Sequence, residues 1–423
     1  MSLGRTICSL SEIRNFALDE AKVRSHVMRP ENVMNIISHR GLAGVTHRPT
    51  FDFSFRFGLY YHLDVNGFAD DLDAALQANV SGYVMCLRQH GRTISARQWK
   101  WAKTPSDGSE SWTPQISMHI ASCSKLITAM ALIKALDDRQ IKDVTPIIGF
   151  LPSYWVKGPN VDQITFHQLL THTSGFNTGQ GLCDFPFMRD VVKAGVPGIG
   201  KYHYENMNYG LCRILLTTIV GDISPATTFN ISVIPDSNNV VWDYLTIQSF
   251  VKYVQEHVLG PSGVSDASLG RPDPDTCALA YPFPLGDSNG WNSGDVTTYS
   301  GAAGWHMTVE DLLAIMGTFR RGNSIVSAAR AQSMLDLAYG TDLFASTSTP
   351  MGFMYVKNGW WASPDHTKVE QSVLCFMPQD MELVAFANSP ADSSQEWIVP
   401  YITSAFIENL RSRDILHHLQ REG

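Results

Sequence analysis

Strand-like segments stand in two groups at opposite ends of this 423-residue chain, and that separation limits the folds open to it. Near the start, "GYVMCLRQHGRTISARQWKWAK" (82–103) reads as two strands joined in a hairpin at His90-Gly91. Much later come "MGFMYVKNGWWA" (351–362), "VEQSVLCFMP" (369–378) and "MELVAFAN" (381–388). Short turns separate these three runs, and short turns join antiparallel neighbours. Between the groups lie the oily helix of "IASCSKLITAMALIKAL" (120–136), a long middle region of helices and Gly/Pro loops, and "TVEDLLAIMGTF" (308–319). A Thr308-x-x-Asp311 capping pattern opens the last of these. "FADDLDAALQAN" (68–79) and an amphipathic segment from about 394 to 411 add a helix at either flank.

The expected architecture is an α/β fold of the α+β type. One antiparallel five-stranded sheet is built from both ends of the chain, is covered by terminal helices, and has a mostly helical lobe beside it. The sheet part is expected from 65–145 and 300–423, and the lobe from 146–299. Residues 1–64 read as an N-terminal extension without an assignable role. Within it "SEIRNFALDEAKVRSHVM" has helical spacing and "TFDFSFRFGLYYHL" alternates like a strand.

Composition excludes several classes of function. The chain is 44% hydrophobic and 17% charged, with a net charge of −8 and no run of Lys/Arg, which argues against a nucleic-acid partner. No stretch reaches the roughly 20 apolar residues of a membrane helix; the longest oily run, Leu126 to Ile133, stops at Lys134. The opening "MSLGRTICSLSEIRNF" lacks the regions of a signal peptide, which leaves localisation open. Seven scattered cysteines leave at least one unpaired, and Cys86, Cys212 and Cys375 sit in apolar segments that read as core. No HxHxD, HExxH or EF-hand pattern is present, so neither a metal nor another cofactor is expected.

Ser122 and Lys125 stand three apart at the head of the oily helix, where residues i and i+3 share a face. The helix N-terminus adds partial positive charge near the serine. An ammonium held among apolar side chains loses hydration and gives up its proton more readily. A neutral Lys125 amine could then take the proton of Ser122 and make it a nucleophile. The SxxK pattern alone is weak, since about one should arise by chance in such a chain. A second occurs at Ser249-Phe-Val-Lys252, on a helix that reads as amphipathic with Lys252 solvated.

Order and spacing support the first. "YHYENMNYG" brings Tyr204-Glu-Asn206, and the first closing strand brings Lys357-Asn358-Gly359. SxxK, then [YS]xN, then [KH][ST]G in that order resembles the serine β-lactamase and penicillin-binding-protein superfamily. Further stretches resemble its class-C-like branch of esterases, D-aminopeptidases and D-Ala-D-Ala carboxypeptidases. They are "ITFHQLLTHTSGF" (164–176), "YENMNYGLCRILL" (204–216), "SGAAGWHMTVEDLLAIM" (300–316) and "LVAFANSP" (383–390). The resemblance spans about 65 to 410.

It implies that Ser122 attacks an acyl carbonyl and that Lys125 is the base, or else lowers the pKa of Tyr204 so that its phenolate is. Tyr204 would pass the proton to the leaving group. Asn206 would orient Lys125 or a substrate amide, and Lys357 would supply positive charge for a substrate carboxylate or for Tyr204. The backbone N–H groups of Ser122 and Trp360 would form the oxyanion hole. His172 and Ser174 would belong to a structural turn. The implied substrate is a small-molecule ester, amide or β-lactam. The alternative is a penicillin-binding or acyl-transferring protein that acylates and hydrolyses slowly.

Three departures bear on substrate. Asn358 replaces the usual Ser/Thr, Trp360 and Trp361 replace small residues, and the 357–378 hairpin is long. One rival nucleophile is Ser288 in Gly286-Asp-Ser-Asn-Gly290, a literal GxSxG. That motif needs a strand before it and a helix after it, whereas loop-like chemistry surrounds Ser288.

Overall fold

The computed structural model describes residues 59–230, 236–392 and 397–414. The helix read within 11–28 and most of the alternating run 50–63 lie outside these residues. The run's last five residues form strand β1 (Leu59–Leu63). Helix α1 (Val65–Asn79) follows, with Asp64 at its N-cap accepting from the Gly67 N–H at 3.1 Å. Strands β2 (Tyr83–Gln89) and β3 (Arg92–Trp99) form the expected hairpin. His90 and Gly91 take φ of +50° and +76°, as both central residues of a type I′ turn must.

The short strand β4 (Met118–His119) leads into α2 (Ser124–Asp138). The lobe carries α3 (Asn206–Val220) and α4 (Ser237–Val254). Strand β5 (Trp305–Met307) pairs with β4 and precedes α5 (Val309–Arg321), whose Thr308/Asp311 capping box is formed on both sides. Strands β6 (Thr347–Thr349), β7 (Gly352–Ala362), β8 (Val369–Met377) and β9 (Met381–Ala387) come next. Helix α6 (Val399–Glu408) and strand β10 (Leu410–Asp414) close the described chain.

The main sheet has the order β3-β2-β9-β8-β7-β6, every pair antiparallel. The five expected strands are all there, and β6 adds a short sixth at the β7 edge. Every residue of β8 and β9 is buried, because helices cover both faces of the sheet. One face packs Met85, Leu87, Val356, Val373 and Leu383 against Phe68 and Leu72 of α1 and Ile402 and Phe406 of α6. The other packs Val84, Cys86, Leu374 and Phe376 against α2 and the lobe. Helix α2 is buried along almost its whole length, as a helix apolar all round must be.

The final helix is shorter than the spacing suggests. It stops at Glu408, and residues 410–414 pair antiparallel with β1. Asn409 makes the break: its side chain donates to Asp71 Oδ2 at 2.6 Å, and its carbonyl accepts the Asp64 N–H at 2.9 Å. Those bonds tie the chain to the start of α1 and outweigh continuation of the apolar stripe.

Candidate active site

Ser122 lies in a tight 3-10 turn, Ala121–Cys123, that runs directly into α2. Ala121 has φ of +45°, a strained region for a residue with a Cβ. The flanks hold it there: the Ile120 N–H donates to Trp305 O at 2.9 Å, and Ser372 Oγ donates to Ile120 O at 2.6 Å.

Lys125 is only 1% exposed. Its Nζ donates to Ser122 Oγ (3.0 Å), Asn206 Oδ1 (2.8 Å) and Ala302 O (2.9 Å), which uses all three ammonium protons. Burial lowers its pKa; neighbouring Lys357 adds to this while Tyr204 opposes it. The second SxxK is different: Lys252 is exposed on α4, and Ser249 Oγ donates to Asp222 Oδ2 at 2.6 Å.

Tyr204 sits in the loop just before α3 and donates to Ser122 Oγ at 2.8 Å. Lys125 Nζ and Lys357 Nζ lie 5.0 and 5.2 Å from its ring centroid. Burial raises the pKa of the phenol, but the two ammonium groups outweigh it and the net shift is downward. Asn206, the first residue of α3, joins the Lys125 contact to the loop at Gly181, donating from Nδ2 to its carbonyl at 2.7 Å.

On strand β7, odd and even positions face opposite ways. Met354 and Val356 pack with α1 and α6, whereas Tyr355 packs on the α2 side. Lys357, Gly359 and Trp361 therefore share the α2 face, and Asn358 and Trp360 turn their side chains to the other. The aromatic contacts agree: Trp361 meets His119 and Tyr299, and Trp360 meets Trp397 and His366. A Cβ on Gly359 would stand 2.3 Å from Ile120 O and 3.1 Å from Ser122 N, so only glycine lets β7 approach the serine turn. The N–H groups of Val356 and Asn358 point to the free edge of β7, where they donate to Ser346 Oγ and Asp342 Oδ2. By the same alternation the Trp360 N–H faces that edge too.

Lys357 is buried, and its Nζ meets Asp342 Oδ1 at 2.5 Å. Burial works against the charge, but the Asp342 carboxylate overcomes it and raises the pKa of the lysine. Sequence reasoning missed Asp342. Its nearest signal is Tyr339-Gly340 just upstream: Gly340 has φ of +79°, and a Cβ there would stand 2.6 Å from Leu126 Cα of α2.

His172 and Ser174 form a buried bracket under the site. Ser174 Oγ donates to Asn208 Oδ1 at 2.6 Å. His172 Nδ1 accepts from the Glu205 N–H and faces Asn208 Nδ2, each at 3.2 Å, and its ring stacks on Tyr204. Burial first, and Lys125 and Lys357 next, hold its pKa well below the usual range, so the imidazole is neutral. Ser288 lies in a loop with neither strand nor helix beside it. The six described cysteines are all buried and unpaired. Among the described residues no cluster of three or more His, Cys, Asp or Glu could hold a metal, and no helix is long and apolar enough to cross a membrane.

Comparison with known proteins bears on the family match and the fold. Residues 68–222, which include Ser122, Lys125, Tyr204 and Asn206, match the family model described as Beta-lactamase. A Bacillus subtilis (strain 168) protein named for penicillin binding, PbpX, is 22% identical over 163 residues, 37% of this chain and 34% of that protein. The match thus spans about a third of that relative's length. Among solved structures, the octameric penicillin-binding protein homologue from Pyrococcus abyssi superposes with a TM-score of 0.59 at 17% identity, over 82% of this chain and 78% of its own. EstCE1, a hydrolase with promiscuous acyltransferase activity, superposes with a TM-score of 0.58 at 17% identity, over 81% and 99%. Residues 68–222 thus carry a Beta-lactamase match, and the described chain shares its fold with a class C β-lactamase and with a penicillin-binding protein homologue.

Proposed function

We propose that the protein is a cofactor-free serine hydrolase that works through an acyl-enzyme on a small ester or amide. One observation carries this reading: Ser122 Oγ lies within hydrogen-bond reach of both Lys125 Nζ, at 3.0 Å, and Tyr204 Oη, at 2.8 Å.

Ser122 Oγ attacks the acyl carbonyl while its proton passes to the Lys125–Tyr204 pair. The two pKa values belong to the coupled pair and both are shifted down, which eases loss of a proton from the pair so that it can accept that of Ser122. The backbone N–H groups of Ser122 and Trp360 receive the negative charge that develops on the carbonyl oxygen. Loss of one such donor typically costs about 3–4 kcal/mol of transition-state stabilisation. Tyr204, poised over Ser122, returns the proton to the leaving group. Asn206 keeps the Lys125 amine aimed at the serine, and Lys357 holds the potential at Tyr204 positive. Water, or another positioned nucleophile, then releases the acyl group.

The test is intact-protein mass and product release with benzylpenicillin and, separately, p-nitrophenyl butyrate, comparing wild type with Ser122→Ala. The reading expects an adduct or released p-nitrophenol that is lost in the variant, by on the order of 10³-fold or more. A penicillin adduct that persists would move the reading to a penicillin-binding protein. Reaction unchanged in Ser122→Ala would overturn both.

A further inference from the structure

Building on the serine hydrolase reading, we infer that the site takes acyl donors with an uncharged leaving group, neutral esters or amides, and that Asp342 sets this preference. Two cations border the reaction centre, and neither is free for a substrate anion. The three protons of Lys125 are bonded to Ser122, Asn206 and Ala302. Lys357 is 2% exposed and already faces a carboxylate.

Asp342 occupies both groups on this part of the β7 edge that could welcome a second carboxylate. Oδ1 takes the Lys357 ammonium, and Oδ2 accepts the Asn358 N–H at 2.9 Å. Its position is built in. The Asp342 N–H donates to Val356 O at 2.7 Å, and its carbonyl accepts from Ser346 N–H at 3.0 Å and Ser346 Oγ at 2.7 Å. Ser346 in turn accepts the Val356 N–H at 2.9 Å. The loop is thus laced along the strand and cannot swing away without breaking four bonds.

An anionic group arriving at this edge meets a fixed carboxylate at close range, in surroundings that screen charge poorly. The neighbouring rim is apolar. Phe344, two residues beyond Asp342, is 49% exposed and packs edge-on against Tyr202 at 4.9 Å, and Tyr204 is 38% exposed. The exposed ring of Phe344, beside a lysine that already holds a carboxylate, suits an uncharged group.

The test uses two aryl esters with one acyl group. In one the leaving group is m-hydroxybenzoate, which carries a carboxylate; in the other it is the methyl ester of the same phenol. Each kcat/KM is divided by the hydroxide-catalysed rate of its ester, to remove intrinsic reactivity. The wild type is expected to favour the methyl ester at least tenfold. Asp342→Asn keeps the shape and an oxygen for the Asn358 N–H, and should raise kcat/KM for the acid enough to narrow that ratio at least tenfold. Equal or faster turnover of the acid by the wild type would overturn the inference, whatever the variant does. A ratio unchanged in a folded Asp342→Asn would remove Asp342 from it. Turnover that survives Ser122→Ala, or no turnover of either ester, would instead overturn the underlying hydrolase reading, and this inference with it.

Discussion

The imidazole of His172 lies flat on the ring of Tyr204, with centroids 4.4 Å apart and planes 29° from parallel. The histidine takes φ of +56° and is buried, and its Nδ1 is an acceptor for the chain at Glu205. In the proposed mechanism it braces the tyrosine and is not the base. His172→Ala should therefore act mainly on stability, lowering it by about 2–4 kcal/mol through a cavity and an unsatisfied N–H. Chemical denaturation measures this. A pH–rate profile of the variant should keep the wild-type shape, since no titration of His172 enters the reaction.

Tyr204→Phe removes the hydroxyl that faces Ser122 and leaves the stack on His172 intact. Acylation should slow by roughly 10²–10⁴-fold, the usual worth of a positioned acid–base group. Stopped-flow measurement of acylation with an activated ester reads this directly. A loss of less than tenfold would leave Lys125 as the sole base.

Lys357→Met tests the charge that Lys357 places beside the pair. Lys357 lowers the pKa of both Tyr204 and Lys125, and Asp342 raises that of Tyr204. With the ammonium gone, both members of the pair hold their protons more tightly. The base-dependent limb of kcat/KM should move to higher pH, and the rate at pH 7 should fall. A limb that stays in place would mean that Lys357 acts only on substrate.

Gly359→Ala should disable the site without removing any catalytic side chain. The added Cβ meets Ile120 O at 2.3 Å and Ser372 Oγ at 2.4 Å, and Ile120 O belongs to the backbone that carries the serine turn. Overpacking of this kind costs about 1–3 kcal/mol. The larger effect should be on kcat, because the backbone that carries the serine turn must move away from β7. Steady-state kinetics beside a melting curve separate the two effects.

Glu370 predicts a pH-dependent stability. It is fully buried on β8, and burial raises its pKa to about 8. His119 Nε2 accepts the Gly304 N–H at 3.2 Å, so a neutral His119 carries its proton on Nδ1, 3.1 Å from Glu370 Oε2. A carboxyl whose pKa is higher folded than unfolded stabilises the fold at low pH, and that contribution is lost as pH rises through about 8. The melting temperature should fall as pH rises from about 5 to about 8 in the wild type, level off above that, and change less in Glu370→Gln.

Ser122 and Lys125 could be paired from the sequence because three residues of helix bring two side chains to one face, whatever surrounds them. The strand alternation and the Thr308/Asp311 cap were legible for the same reason: each is a repeat within a few residues. The order of Ser122, Tyr204-Glu-Asn206 and Lys357-Asn358-Gly359 carried the rest of the family resemblance. Folding decided what no local repeat encodes. It set Asp342 against Lys357, turned Trp361 toward the site and Trp360 away from it, ended the last helix at Asn409, and buried Glu370 beside His119. Each of these depends on residues distant in the chain meeting across packed elements, and the energy of a buried charge is set by those neighbours and not by the residue itself.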